Sequence, residues 1–355
     1  MKKTVFISAG SSGGHIYPAI TLAKKLREQG HSVFFIATSN RIEGKIIPPY
    51  GFEICDVTSP IVRKPMKGMS KFILEIMRSI IESQKYVKQY RPDFIISFGG
   101  AVSFAIGFVA FIHRIPLYVH EQNAVLGLSN EWISLFAKKV LTQFKIKSNL
   151  LNHKMVHVGS PRTSEFKEYN VNSSVYESLH FLPNKPLVVF VMGSLGSFTM
   201  QQMIESMINH YPNVDYQRLF ITGSRFYEKF KYLNELHTNT KVVDSISLID
   251  LYPHIDLLVT RAGATTMAEL LGSRTPSILI PSPYVTRNHQ QRNAQYFVDH
   301  DVALICDERN LDEHQLAQSI DSLLKHPQQL KDMREKLSNM SDLNELELLL
   351  KELPL

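Results

Sequence analysis

Short apolar segments alternate with stretches of helical period from one end of this 355-residue chain to the other. In the first half the apolar segments are residues 5–8, 33–37, 94–98, 116–119 and 140–143. In the second half they are residues 187–192, 218–222, 257–260 and 277–280. Strands that alternate with helices, and that are apolar in unbroken runs, belong to parallel sheets covered on both faces. The chain therefore reads as α/β, with two doubly wound, Rossmann-like sheets. Its length fits two domains at about 150 residues each. Residues 159–186, rich in Ser, Asn and Pro and without a strong apolar period, mark the passage between them. The expected domains are residues 1–160 and 161–339, with a leucine-rich helix within 340–355 expected to pack back on the first. Ligands of such sheets sit beyond the carboxyl ends of the strands, so a cleft between the domains is the default site.

Composition narrows the class further. Hydrophobic residues make up 44% and charged residues 20%, which excludes a disordered, collagenous or heptad chain. Cys55 and Cys306 are the only cysteines, so a disulfide scaffold and a four-cysteine zinc site are both excluded, and a reducing compartment fits. Residues 1–160 hold 21 basic and 9 acidic residues, whereas residues 161–355 hold 18 and 24. A basic half beside an acidic one points to an anionic partner, a membrane surface or nucleic acid, or else to solvated lysines. Lys2 and Lys3 followed by apolar residues mimic a signal peptide, but the run ends at Ala9, too early for one. Residues 94–112 carry no charge over nineteen positions, yet Gly99-Gly100 divides them, so strand, turn and buried helix is preferred to a membrane span.

Polar motifs follow the apolar segments. Gly10-Ser11-Ser12-Gly13-Gly14-His15 leads into a helix expected to hold Pro18 in its first turn. Glycines let a ligand approach the backbone, and the helix start offers free N–H groups to an anion. The turn thus faces a phosphate, or is a tight turn needed for packing; His15 is an odd choice for packing alone. Neither G-x-G-x-x-G nor Walker A is present, and the second strand ends at Thr38-Ser39-Asn40 with no acidic residue. Gly99-Gly100-Ala101-Val102-Ser103 is a second such turn. His120-Glu121-Gln122-Asn123 closes another strand and suits a sugar or peptide contact; Ala124, four after His120, excludes a zinc helix. In the second half Gly193-Ser194-Leu195-Gly196-Ser197 is a further oxyanion-binding turn. Arg261 to Glu269 places Glu269 early in a helix, as a ribose ligand or as a capping acid. His289-Gln290-Gln291-Arg292-Asn293 supplies amides able to read sugar hydroxyls.

The order G-x-x-G-G-H, H-E-Q-N, G-S-x-G, R-x-G-x-x-x-x-x-E and H-Q-x-x-N-A, spread over nearly the whole chain, resembles the MurG family. These are bacterial transferases that move N-acetylglucosamine (GlcNAc) from UDP-GlcNAc to the lipid-linked muramyl-pentapeptide of peptidoglycan synthesis. The resemblance implies a glycosyltransferase fold of GT-B type, two Rossmann-like domains facing a cleft, with acceptor in the N-terminal half and donor in the C-terminal half. It implies a peripheral protein on the cytoplasmic face of the cell membrane. Matched motif by motif, it implies Ser12, Gly13 and Gly14 near the donor diphosphate and sugar and His15 at the reacting centre. Asn123 would touch the donor sugar, Arg162 and Ser194 the diphosphate, Glu269 the ribose and Gln290 the GlcNAc hydroxyls. Ile246 and the backbone of Ala264, Thr265, Thr266 and Met267 would border uracil and ribose. The chain departs from the family pattern at Ser11 and Met192, where glycine is usual, and in residues 159–162, one residue shorter than usual before the arginine.

The implied reaction is attack by the muramyl 4-hydroxyl on the anomeric carbon with inversion, UDP leaving. His15 would serve as base or as a passive hydrogen-bonding group. Glycine-turn N–H groups and Arg162 would neutralise the leaving diphosphate. No acidic pair reads as a metal site, so no cofactor is required and Mg²⁺ is expected at most as a loosely held ion. Met69, Phe72, Ile73, Leu74, Ile76, Met77, Ile80 and Ile81 cover roughly 200° of one helix. With Lys64, Lys67 and Lys71 they form either an interfacial helix on anionic lipid or a helix buried more deeply than usual. Transfer to diacylglycerol, a UDP-GlcNAc 2-epimerase and a non-catalytic membrane partner are the competing readings. Nucleic acid ranks last, for want of any recognised motif.

Overall fold

The apolar run at residues 5–8 becomes β1 (Thr4–Ala9), an inner strand of a sheet that also contains β2 (Ser32–Ala37), β3 (Glu53–Asp56), β4 (Phe94–Gly99), β5 (Leu117–Glu121), β6 (Lys139–Thr142) and β7 (Met155–His157). All pairings are parallel, in the order β3-β2-β1-β4-β5-β6-β7. The helices of this part are α1 (Gly13–Glu28), α2 (Ile42–Ile46), α3 (Met69–Tyr90), α4 (Ala101–Ile112) and α5 (Leu128–Ser134). The structure, a computed structural model, describes residues 1–59, 69–193 and 196–355; Lys64, Lys67, Ser194 and the Lys71 side chain lie outside the described residues. Both faces of the sheet are buried. Val5, Ile7 and Ala9 join Ile16, Ala19 and Leu22 of α1 on one side, while Phe6 joins Ile106 and Val109 of α4 on the other. Each such Val, Ile, Leu or Phe side chain contributes about 1.5–3 kcal/mol by leaving water. Residues 94–112 resolve into β4, a glycine turn and α4, as the glycine pair implied.

A second unit holds β8 (Leu187–Val191), β9 (Gln217–Ile221), β10 (Thr240–Val243), β11 (Leu257–Thr260), β12 (Ser277–Leu279) and β13 (Ala303–Ile305), parallel in the order β10-β9-β8-β11-β12-β13. The first unit comprises Met1–Glu165 with Leu343–Leu355, and the second Phe166–Asp342. Residues 161–165 go with the first unit, past the boundary placed at residue 160, because Glu165 accepts from Thr21 Oγ1 and pairs with Arg162. The chain returns to the first unit at its end, where Leu349, Leu350 and Leu353 enter the core beneath β1.

Four strands fall outside the apolar segments read from the sequence, and they are the four sheet edges, β3, β7, β10 and β13. An edge strand is covered on fewer sides, so its sequence lacks an unbroken apolar run; in Glu53-Ile54-Cys55-Asp56 only Cys55 is buried. Helix α1 also starts earlier than expected. Ser12 is its N-cap and Gly13 its first residue, which puts Pro18 inside the helix rather than in its first turn.

Helix α3 is not the deeply buried helix allowed by its sequence. Ser79 and Ser83 are fully buried and Ile80 packs on the core, whereas Ile73, Leu74, Met77 and Ile81 are 53%, 68%, 52% and 63% exposed. Of the residues expected at a membrane, Ile73 and Met77 face outward; Phe72, Ile76 and Ile80 are half-buried. Among the described residues no helix is long and apolar enough to cross a membrane.

Candidate functional site

In each sheet the chain leaves the middle in opposite directions, and at that switch point the loops after neighbouring strands diverge to leave room for a ligand. The motif turns of the first unit follow β1, β4 and β5, which are adjacent. The turns after β1 and β4 touch closely. Gly10 N–H donates to the Gly99 carbonyl at 3.2 Å, and a Cβ on Gly100 would lie 2.7 Å from the Gly10 oxygen, so glycine alone fits there.

His15 stands in the first turn of α1. Its Nδ1 lies 2.6 Å from the Gly10 carbonyl, which can only accept, so Nδ1 carries the proton. In the neutral ring Nε2 then holds a lone pair. That nitrogen lies 3.2 Å from where a Gly99 Cβ would stand, and Asn130 Nδ2 lies 3.3 Å from the same point. Beside it, the N–H groups of Gly13 and Gly14 are first-turn donors with no intrahelical acceptor. An imidazole lone pair and helix-start N–H groups without an intrahelical acceptor therefore share one turn.

The motif after β5 is largely internal. His120 is wholly buried, and burial pushes its pKa down to about 4. Its Nε2 donates to the Gly159 carbonyl at 2.9 Å and its Nδ1 accepts from Gln122 at 3.1 Å, as a neutral ring would. Buried Glu121 accepts from Asn123 N and Nδ2, Gly127 N and Asn130 Nδ2 at 2.9–3.0 Å. The sugar or peptide contact expected of all four residues is therefore corrected for His120, Glu121 and Gln122, which brace the loop; Asn123 alone is half-exposed. Arg162 pairs with Glu165 and stacks over Tyr17, at 5.8 Å from the ring centre.

In the second unit the motif turns follow β8, β11 and β12, again adjacent at the switch. Buried Arg261 is held by Glu308 at 2.7 Å and by the Ile280 carbonyl at 2.9 Å, so it braces the turn after β11. Asn293, fully buried, donates to the Ala262 carbonyl and fixes the same turn from the helix His289–Val298. The helix Ala264–Ser273 then begins at that turn, with Ala264 and Met267 buried and Thr265, Thr266 and Glu269 half-buried. Tyr252 donates to Glu269 Oε2 at 3.2 Å and orients the carboxylate. Gln290 Oε1 accepts from Ser282 N at 2.9 Å, which ties it to the loop after β12. Ile246 is half-buried in the loop after β10. Among the described residues no group of three or more His, Cys, Asp or Glu could hold a metal ion.

Residues 5–142 match the glycosyltransferase family 28 N-terminal domain, and residues 187–347 match the glycosyltransferase family 28 C-terminal domain. The chain belongs to glycosyltransferase family 28. Within family 28 it is 33% identical, over 95% of its length and 94% of the relative's, to the UDP-N-acetylglucosamine--N-acetylmuramyl-(pentapeptide) pyrophosphoryl-undecaprenol N-acetylglucosamine transferase of Bacillus subtilis (strain 168). The crystal structure of Acinetobacter baumannii MurG superposes with a TM-score of 0.81 at 24% identity, covering 99% of each chain. The resemblance to the MurG family and the GT-B type fold read from the motifs are thereby borne out. Neisseria meningitidis UDP-GlcNAc 2-epimerase, bound to UDP-GlcNAc, shares the fold with a TM-score of 0.69 at 11% identity over 98% of each chain.

The motif reading of this family 28 chain passed over Glu43, Asn130 and Tyr252. Asn130 and Tyr252 lie outside any motif. Glu43 follows the second strand in Arg41-Ile42-Glu43-Gly44, where only the fold turns it toward the first glycine turn.

Proposed function

We propose that this chain is an inverting hexosyltransferase of peptidoglycan synthesis. It transfers GlcNAc from UDP-GlcNAc to the 4-hydroxyl of the muramyl-pentapeptide carried on pyrophosphoryl-undecaprenol. The fold is shared with epimerases, so kinship along the whole chain with transferases so named favours transfer. The observation that carries the chemistry is the fixed tautomer of His15 beside a helix start. Nε2 removes the proton from the acceptor hydroxyl as its oxygen attacks the anomeric carbon, and the bond to the UDP oxygen breaks on the opposite face. The Gly13 and Gly14 N–H groups, with Ser12, stabilise the negative charge that grows on the diphosphate. Glu269, oriented by Tyr252, takes the ribose hydroxyls, and Gln290 the sugar hydroxyls. The backbone of Ala264, Thr265, Thr266 and Met267, with Ile246, borders the nucleoside.

The acceptor is lipid-linked, and the exposed face of α3 supports peripheral docking on the cytoplasmic side of an anionic membrane. Ile73, Leu74, Met77 and Ile81 offer apolar area, and the basic first half supplies attraction. Nucleic acid is not a partner in this reading. The test is incubation with UDP-GlcNAc and a short-chain analogue of the muramyl-pentapeptide lipid, with diacylglycerol as control acceptor. A β-linked GlcNAc on the muramyl lipid alone is expected. Transfer only to diacylglycerol removes the acceptor assignment, and epimerised donor without transfer removes the reaction class.

A further inference from the structure

We propose that Glu43 is a positioning residue for the transfer, acting on His15 through the single peptide unit between Gly10 and Ser11. The proposal rests on His15 being the base. Helix α2 is seated against the turn after β2, where a Cβ on Gly44 would stand 1.7 Å from the Ser39 carbonyl oxygen. That seat carries Glu43, only 1% exposed, beneath the first glycine turn. Its Oε1 accepts from Ser11 N at 2.9 Å and lies 2.6 Å from where a Gly10 Cβ would be, so glycine at position 10 makes room for the carboxylate.

The peptide that donates to Glu43 is the one that holds His15. Ser11 N–H and the Gly10 carbonyl belong to one planar trans unit and point in opposite directions. With its N–H fixed by Glu43, its oxygen is fixed toward His15 Nδ1 at 2.6 Å. The result is a chain from carboxylate through peptide to imidazole, in which each hydrogen bond polarises the next. Two further observations support a positioning duty. Ser11 has φ 71°, a left-handed conformation uncommon for serine, and the bond to Glu43 holds its N–H there. Glu43 Oε2 is buried without a hydrogen-bond partner among the described residues, a cost that packing alone would not retain.

The experiment uses the full chain carrying Glu43→Ala, Glu43→Gln or Glu43→Asp, with Glu43→Ala repeated in a His15→Ala background. Kinetics with UDP-GlcNAc and the lipid analogue are combined with ¹⁵N spectra of the histidine rings. Glu43→Ala is expected to lower kcat by about tenfold or more, with KM for UDP-GlcNAc within about threefold, and to replace the single Nδ1–H tautomer of His15 by a mixture. Glu43→Gln retains an acceptor oxygen and recovers most of the loss. In the His15→Ala background the second substitution adds nothing. Glu43→Asp keeps the charge but is one methylene short, so it shows the same losses and decides the matter where the alanine variant does not fold. A parental His15 spectrum in Glu43→Ala and Glu43→Asp, or an equal fractional loss with His15 absent, overturns the proposal. If His15→Ala alone leaves turnover unchanged, the base assignment fails, while the ring spectra still judge the hold of Glu43 on His15.

Discussion

At His15 the nitrogen that faces the chain is already engaged: Nδ1–H donates a hydrogen bond to the Gly10 carbonyl, and Nε2 is left with the lone pair. In the proposed mechanism a base held this way contributes to turnover and little to ground-state affinity. His15→Ala should therefore lower kcat by about 10²- to 10⁴-fold and leave UDP affinity within a few-fold, measured by turnover and calorimetry; equal losses in both would remove the base. His120 has the opposite fate, because burial presses its pKa to about 4. An unfolded histidine titrates near 6.5 and binds its proton first as pH falls. The stability contributed by neutral His120 is thus present above about pH 6.5 and is lost as pH falls toward 4, by on the order of 3 kcal/mol. His157, also pressed downward by burial, adds in the same direction. Urea midpoints at pH 7.5 and 4.5 should fall less for His120→Gln than for the parent chain. Both histidines sit in motifs legible in the sequence. What separates them is the Gly159 carbonyl, 39 residues beyond His120, and no local pattern records that meeting. Arg261 and Asn293 were likewise legible as motif members, and for the same reason their bracing duty was not.

Among the elements, α3 tests how far a periodic pattern determines its own environment. Its apolar arc is wide, and the fold divides it: fully buried Ser79 and Ser83 permit close packing inward, while large side chains point out. Replacing Leu74 or Met77 by glutamate should abolish binding to anionic vesicles at low salt while leaving the melting temperature unchanged. Ser83→Leu should do the reverse, costing about 1–3 kcal/mol by overpacking and sparing vesicle binding. Vesicle sedimentation and thermal melts together separate the two, and loss of both properties in both variants would refute the division. The pattern showed the arc but not its inner limit, because small polar residues at a close helix contact look like a solvated face. Strand recognition failed for a related reason. β1, β4 and β8 are covered on both sides and announce themselves as apolar runs, whereas edge strands such as Thr240–Val243, with alternating burial, do not. The order of strands, and with it the switch point that gathers the motif turns, came only from the pairing.

For the whole molecule the decisive connection is the return of residues 343–355 to the first unit. The sequence showed a leucine-rich helix there; its burial depends on partners at the other end of the chain. Leu349, Leu350 and Leu353 lie in the core that contains Val5 and Ile7, Lys139 reaches Glu352 at 2.5 Å, and Ser164 bonds the Leu346 amide at 3.0 Å. The ion pair, still partly open to solvent, adds little. The three leucines, at about 1.5–3 kcal/mol each, amount to about 5 kcal/mol or more, which rivals the whole stability of an ordinary domain. Deleting residues 343–355 should therefore open the first sheet and spare the second, whose core draws on Val188, Phe190 and Ile204 and on nothing from the deleted segment. Hydrogen exchange is the measurement that resolves this. Amides of β1, β4 and β5 should exchange at greatly increased rates in the shortened chain, and those of β8, β9 and β11 at the parental rate. Parental rates in both sheets would show that the terminal helix is dispensable to the core it enters.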